Sequence, residues 1–343
     1  MSNKEIRSSR HFPAVNEIMK CDEKRFKKYQ NQALQLKLKN FDENLWFYAP
    51  SLLNYAIEQF ENFNHNKFIP ISITGTKCQL QCDHCKSKIL ESMYPAESPE
   101  ELYSLVESLV KNKGCEGILV SGGSTRDGAV PLLQFLEVFR KIKERFDITI
   151  IVHTGLVTEE LAKSFSDISI DAVMLDIIGD NETIHRIYHL KKNIDHFEAS
   201  LKYLNSFKIP FVPHVILGLH YGKIKGELSA LKLIQPFKPS ALVLLVLMPL
   251  EGTPMEHVQP ISPSQFARFA TIARFMFPTV PIMLGCARPK GDHKIKTDIM
   301  AIRSGLNGIA YPCQEAVDYA LKKGYTIKFS ELCCALIYQD LKR

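Results

Sequence analysis

From residue 68 to residue 312 the chain alternates short runs dense in Ile, Val and Leu with longer stretches whose apolar residues recur every three or four positions. The short runs fall at 69–74, 117–121, 148–153, 172–177, 211–217, 241–247, 280–285 and 308–311. A strand buried on both faces reads as a continuous apolar run, and helical crossovers between such strands make them parallel. Eight of these units predict an α/β fold, a closed (β/α)8 barrel of the TIM type. Chemistry in such a barrel gathers at the C-terminal ends of the strands. No glycine- or proline-rich linker and no fixed-period repeat divides this region. Upstream, Leu34, Leu38 and Phe41, then Leu52, Leu53, Ile57 and Phe60, keep helical spacing, and Ala49-Pro50-Ser51 reads as a helix start. The expected organisation is an N-terminal helical extension over 1–66 and a barrel over 67–343 that ends in a cysteine-bearing tail.

Composition adds bounds rather than identity. The chain has 343 residues, 45% apolar and 23% charged, which suits a globular protein with a sizeable core. Its net charge of +6 is spread along the chain. The one N-terminal basic cluster, Lys24-Arg25-Phe26-Lys27-Lys28, reads as a solvated helix face, so nucleic-acid binding is not expected. No apolar run approaches the roughly 18 residues of a membrane span. The N-terminus carries no signal-peptide pattern, so a cytoplasmic location is expected. In that compartment nine cysteines point to metal or redox use rather than disulfides.

Three of them stand in Thr76-Lys77-Cys78-Gln79-Leu80-Gln81-Cys82-Asp83-His84-Cys85, a C-x3-C-x2-C spacing just after the first apolar run. Three thiolates on one short loop can hold three corners of a cubic iron–sulfur cluster and leave the fourth iron open. Zinc fits less well, because it takes four ligands and no second cysteine pair lies nearby. His84 sits between Cys82 and Cys85 with little room to fold back onto the same metal.

This run resembles the signature of the radical S-adenosylmethionine (SAM) superfamily. The resemblance implies that Cys78, Cys82 and Cys85 ligate a [4Fe–4S] cluster whose open iron binds SAM, and that one electron then yields a 5′-deoxyadenosyl radical. It implies further site residues in order along the chain. His84 takes the place of the family's aromatic residue near the adenine. Ser121-Gly122-Gly123 matches the loop that contacts the methionine amine, although Ser124 stands where the family has an acid. His153 and Thr154 end the third strand. Asp176, at the end of the fourth, is placed to accept from the ribose hydroxyls, and a turn-capping carboxylate is its plainer reading. Leu217, in Ile216-Leu217-Gly218-Leu219-His220, matches the motif beside the adenine. His214, His220 and Arg288 are placed to orient substrate or the SAM carboxylate, and hydrogen-bonded loop support is their plainer reading.

Within the superfamily, Pro213-His214-Val215-Ile216, Leu247-Met248-Pro249 and Leu284-Gly285-Cys286-Ala287-Arg288-Pro289 are similar to a biotin synthase-related group that includes the two-subunit lipoyl synthases. That resemblance implies sulfur insertion into an octanoyl chain on a carrier protein or peptide. It also implies a paralogous partner subunit and a reductant such as ferredoxin or flavodoxin. An auxiliary iron–sulfur cluster is expected as the sulfur source. The chain lacks the N-terminal cysteine motif of ordinary lipoyl synthases, so Cys286, Cys313, Cys333 and Cys334 are the candidates, with Cys21 an alternative and Cys115 structural. As plain residues these cysteines are buried hydrophobes. Two alternatives stay open: another biotin synthase-like reaction on a small molecule, such as methylation or rearrangement, and a non-catalytic Fe–S scaffold subunit.

Overall fold

The computed structural model describes residues 15–51, 53–62 and 66–342. Eight parallel strands appear where the apolar runs predict them: β1 Phe68–Ser72, β2 Gly117–Ser121, β3 Thr149–His153, β4 Ala172–Asp176, β5 Phe211–Leu217, β6 Leu242–Val246, β7 Ile282–Leu284 and β8 Gly308–Ala310. They lie side by side in chain order. Alternate residues on each strand divide into two cores, as the two-residue period of a strand requires. Ile118, Val120, Ile150, Val152, Val173 and Leu175 pack outward under the helices. Phe68, Ile151, Ala172, Met174, Val212, Val243, Met283 and Ala310 line the lumen.

Helices start where capping chemistry allows. Ser98 caps Pro99–Lys113 by accepting from the Glu101 N–H, with Pro99 in the first turn. Ser262 and Gln265 form a reciprocal capping box at the start of Pro263–Met276. None of the described helices is long and apolar enough to cross a membrane.

The sheet has more strands than the sequence pattern predicts. Asn44–Tyr48 pairs in parallel with β8, and Thr326–Ser330 pairs with Asn44–Tyr48 on its far side. A two-residue strand, Tyr94–Pro95, extends the other edge beside β1. The ordered sheet therefore has 11 strands, and no ladder joins its two ends among the described residues. Closure comes instead from side chains. After Ser330 the chain turns into the lumen, where Cys334, Ala335, Leu336 and Ile337 pack against Tyr48, Phe68 and Ala172. The Tyr48 hydroxyl donates to Asp340 at 2.6 Å, and Tyr338 donates to the Asp171 carbonyl. Lys67 forms ion pairs with Glu331 at 3.4 Å and Glu116 at 3.2 Å.

This arrangement corrects the expectation of a purely helical extension. Helices occupy Val15–Lys20 and Glu23–Phe41, but Asn44–Tyr48 belongs to the main sheet. The helix expected after Pro50 is a short hairpin, Ala56–Ile57 with Phe60–Glu61. Asn62 ties it down by accepting from the Tyr55 N–H and donating to the Leu53 carbonyl. Leu52 and residues 1–14 lie outside the described residues.

Candidate active site

The cysteine loop follows β1 and is held by short-range hydrogen bonds. The Ser72 hydroxyl donates to the Gly75 carbonyl at 2.6 Å, and the Thr74 hydroxyl to the Lys77 carbonyl at 2.9 Å. Gly75 has φ of 56°, a left-handed turn that glycine adopts without strain, and a Cβ there would lie 2.6 Å from a Glu97 carboxylate oxygen. The Gly-Gly turn after β2 presses against this loop. The Gly123 N–H donates to the Thr74 hydroxyl at 2.7 Å, and a Cβ on Gly123 would stand 2.0 Å from the Lys77 carbonyl oxygen. The second glycine thus serves first to admit the cysteine loop. Gly122 is less constrained, its would-be Cβ 3.0 Å from the Thr74 hydroxyl.

Cys82 and Cys85 are buried, and Cys78 is half-buried. The Cys82 and Cys85 thiols hydrogen-bond one another, and Cys78 lies close enough to act on Cys82 through its charge. That hydrogen bond and burial raise the Cys82 pKa. The same bond and His84 lower the Cys85 pKa. Three free cysteines on one loop fit the donor set of an iron–sulfur cluster.

His84 stacks obliquely on Tyr188, ring centroids 5.1 Å apart, and its Nδ1 is buried without a partner. Burial works against its protonation, but Cys85, Asp176 and Asp83 raise its pKa on balance. The loop beyond is anchored by Asp83. Its carboxylate lies 3.0 Å from His189 Nε2 and accepts from the Tyr221 hydroxyl at 3.0 Å, while its N–H donates to the Ile187 carbonyl. Sequence reasoning missed Asp83, Tyr188, His189 and Tyr221, because their meeting depends on the helix Asn181–Ile187 folding back over the loop.

His153, Asp176 and His214 come together on neighbouring strands. Asp176 is in register with His214, and His153 pairs with Met174. Burial would raise the Asp176 carboxyl, but His153, His214 and His84 hold it at about 2. Burial and the charge on His153 push His214 down to about 4. The crevice beside them is lined by Asp176, Ile177, Tyr188, Ile216, Leu219 and His220. His220 reaches it with Nδ1 3.0 Å from the Thr183 hydroxyl.

Other predicted residues take structural places. Leu217 is fully buried in the outer core, and Ile216 faces the crevice instead. Thr154 is fully buried, with its hydroxyl on the Gly155 and Met174 carbonyls. Ser121 donates to the His153 carbonyl at 3.0 Å. Arg288 is buried and wholly engaged: its guanidinium donates to both oxygens of Asp298 and to the Gly285 and Tyr311 carbonyls. The fifth N–H points to the Cys286 carbonyl at 3.5 Å, so all five donors are engaged in supporting the loop.

The late cysteines divide. Cys286 lies within electrostatic reach of Cys333 and Cys334, and all three act through charge on Tyr311. Solvent reaches the Cys286 thiol, although surrounding protein raises its pKa. Cys333 and Cys334 share a hydrogen bond that lowers Cys333 and raises Cys334. Cys313 stands apart: its N–H donates to Asp298, and burial pushes its thiol to about 12. Cys21 contacts Arg268 on an outer helix, and Cys115 donates to the Gly117 carbonyl.

A curled parallel sheet with a cysteine loop after its first strand and a Gly-Gly turn after its second defines an α/β barrel enzyme of the radical SAM type. Residues 72–225 match the Radical SAM superfamily, and residues 244–328 match the Biotin and Thiamin Synthesis associated domain. The chain belongs to the radical SAM superfamily, in its biotin synthase-related group. Similar curated proteins include the biotin synthase of Clostridium acetobutylicum, 23% identical over 75% of this chain and 80% of that protein. The biotin synthase of Vibrio vulnificus is 22% identical over 71% and 70%. Among solved structures, methylornithine synthase superposes with a TM-score of 0.64 at 12% identity, covering 95% of both chains. The FeFe-hydrogenase maturase of Carboxydothermus hydrogenoformans gives 0.63 at 15% identity, covering 92% of this chain and 75% of that one. Those two likenesses concern the fold.

Proposed function

We propose that this radical SAM enzyme inserts sulfur into an octanoyl chain carried on a lysine of a carrier protein or peptide, as a component of a lipoyl synthase. The observation that carries the proposal is that Cys286 lies within electrostatic reach of the Cys333–Cys334 pair, all three remote in sequence from Cys78, Cys82 and Cys85. Three such thiols suit a second iron–sulfur group. The primary cluster, held by Cys78, Cys82 and Cys85, would supply the electron that cleaves SAM to a 5′-deoxyadenosyl radical.

The chain's own residues bind, orient and exclude water. Gly123 lets the cysteine loop lie against the second strand's turn. His84 and Tyr188 form an aromatic wall beside Cys82 and Cys85. The segment from Cys334 to Ile337 fills the lumen and keeps solvent from its lower half. A sealed interior protects a reactive intermediate from side reactions. A paralogous partner subunit and an acidic electron carrier, ferredoxin or flavodoxin, complete the proposed system.

The test is an anaerobic assay with octanoyl-lysyl peptide, SAM, reductant and a homologous partner subunit, read by mass spectrometry. Added sulfur on the peptide is expected. Iron counting separates the parts: about eight irons per chain agree with two clusters, and about four remove the sulfur-insertion reading. Replacing Cys286 and Cys333 with Ala should lower the count while SAM cleavage persists.

A further inference from the structure

Two imidazoles and one carboxylate face each other in the lumen at the mouth of the barrel. One ligating atom from each of His153, Asp176 and His214 lies within 4.8 Å of the other two. His153 Nε2 is 3.7 Å from one Asp176 oxygen. The other oxygen accepts from the Tyr188 hydroxyl at 3.3 Å. His214 is only 8% exposed, and its Nδ1 has no hydrogen-bond partner. A buried, unpartnered imidazole nitrogen is costly unless something meets it. The His153–His214 ring contact, with centroids 5.6 Å apart and planes tilted by 55°, is not a hydrogen bond and leaves that nitrogen unmet.

We propose that His153, Asp176 and His214 bind one first-row divalent ion. Two nitrogens and a carboxylate with open positions form the donor set that suits Fe(II). Ligand bonds of about 2.1 Å draw donor atoms to roughly 3–3.5 Å of one another, so the three side chains close by less than an ångström or so. The surroundings are those of a built site. Strand pairing fixes Asp176 beside His214, Ser121 donates to the His153 carbonyl, and Tyr188 fixes the far oxygen of Asp176. Such outer bonds orient metal ligands. The positions left open face the lumen, where an anionic oxygen or sulfur of a substrate can complete the coordination. A carboxylate held by an ion is not free for ribose hydroxyls, so the two roles of Asp176 exclude one another.

Co(II) is the probe. Full-length, cluster-loaded protein is freed of loose metal and titrated with Co(II) without oxygen. One Co(II) per chain is expected, with weak d–d absorption and no thiolate charge-transfer band. His153→Gln, Asp176→Asn and His214→Gln should each weaken uptake at least about tenfold, in line with the sensitivity of metal sites to their ligands and supports. Iron–sulfur absorption and far-ultraviolet circular dichroism report that each variant is folded. Asp176→Asn keeps size and hydrogen bonding, and it carries the test if a histidine variant fails to fold. No uptake, a thiolate band, or uptake unchanged in the variants overturns the proposal. So does a loss of SAM affinity in Asp176→Asn while Co(II) uptake persists. Because these readouts need no turnover, they stand apart from the octanoyl assay.

Discussion

Arg288 donates to both oxygens of Asp298, and Asp298 is completely buried. Lys294 and the Cys313 N–H contact the same carboxylate. Removing one partner of a buried pair leaves the other uncompensated, at a cost of about 3–5 kcal/mol. Lys294 remains in Arg288→Ala, so the low end, about 3 kcal/mol, is expected in chemical denaturation. Arg288→Lys should recover part of it, since Lys keeps the charge but not the two-pronged geometry. SAM affinity per folded molecule should be unchanged in both; a specific loss would return Arg288 to the binding site. Sequence could place Arg288 at a strand end, but not Asp298, which comes from the next helix, Asp292–Arg303. Cys78, Cys82 and Cys85 were legible because their spacing alone carries the chemistry. The Asp176 grouping was legible only as three separate residues, since which strand faces meet depends on register.

The turn after β2 and the cysteine loop form one unit through Gly123. A methyl group there would overlap the Lys77 carbonyl and Cys78 backbone, so Gly123→Ala must shift the loop. Reconstituted Gly123→Ala should hold well under half the iron of the parent primary site, while Gly122→Ala should keep most of it. Equal iron in the two would remove the packing role of Gly123. The eight barrel strands were visible because continuous apolar runs report burial on both faces. Asn44–Tyr48 was hidden: its aromatic-rich sequence, Asn-Leu-Trp-Phe-Tyr, carries no Ile or Val run, and it follows a long helix. Thr326–Ser330 did carry a signal, with Ile327 and Phe329 alternating with Thr, Lys and Ser. Helical spacing around Leu53 and Ile57 was outweighed by Asn62, whose side chain ties the hairpin to the Tyr55 and Leu53 backbone.

At the scale of the whole molecule, the lumen is closed by packing where backbone pairing stops. Leu336 and Ile337 are almost fully buried, each worth roughly 1.5–3 kcal/mol in transfer from water. A chain lacking residues 331–343 should expose Tyr48, Phe68 and Ala172. Dye binding to apolar surface should rise, and the melting temperature should fall by several degrees. Cys334→Ser with the segment retained should leave dye binding near the parent level, which separates sealing from any thiol chemistry. A truncated chain with parent stability would show that the sheet ends hold without the plug.

The stopper is also an ordering device in time. Every strand it touches is synthesised before it, so the tube stands open from one side until residues 334–337 have left the ribosome. The lower lumen is therefore the last part of the fold to be sealed, after all eight barrel strands are in place.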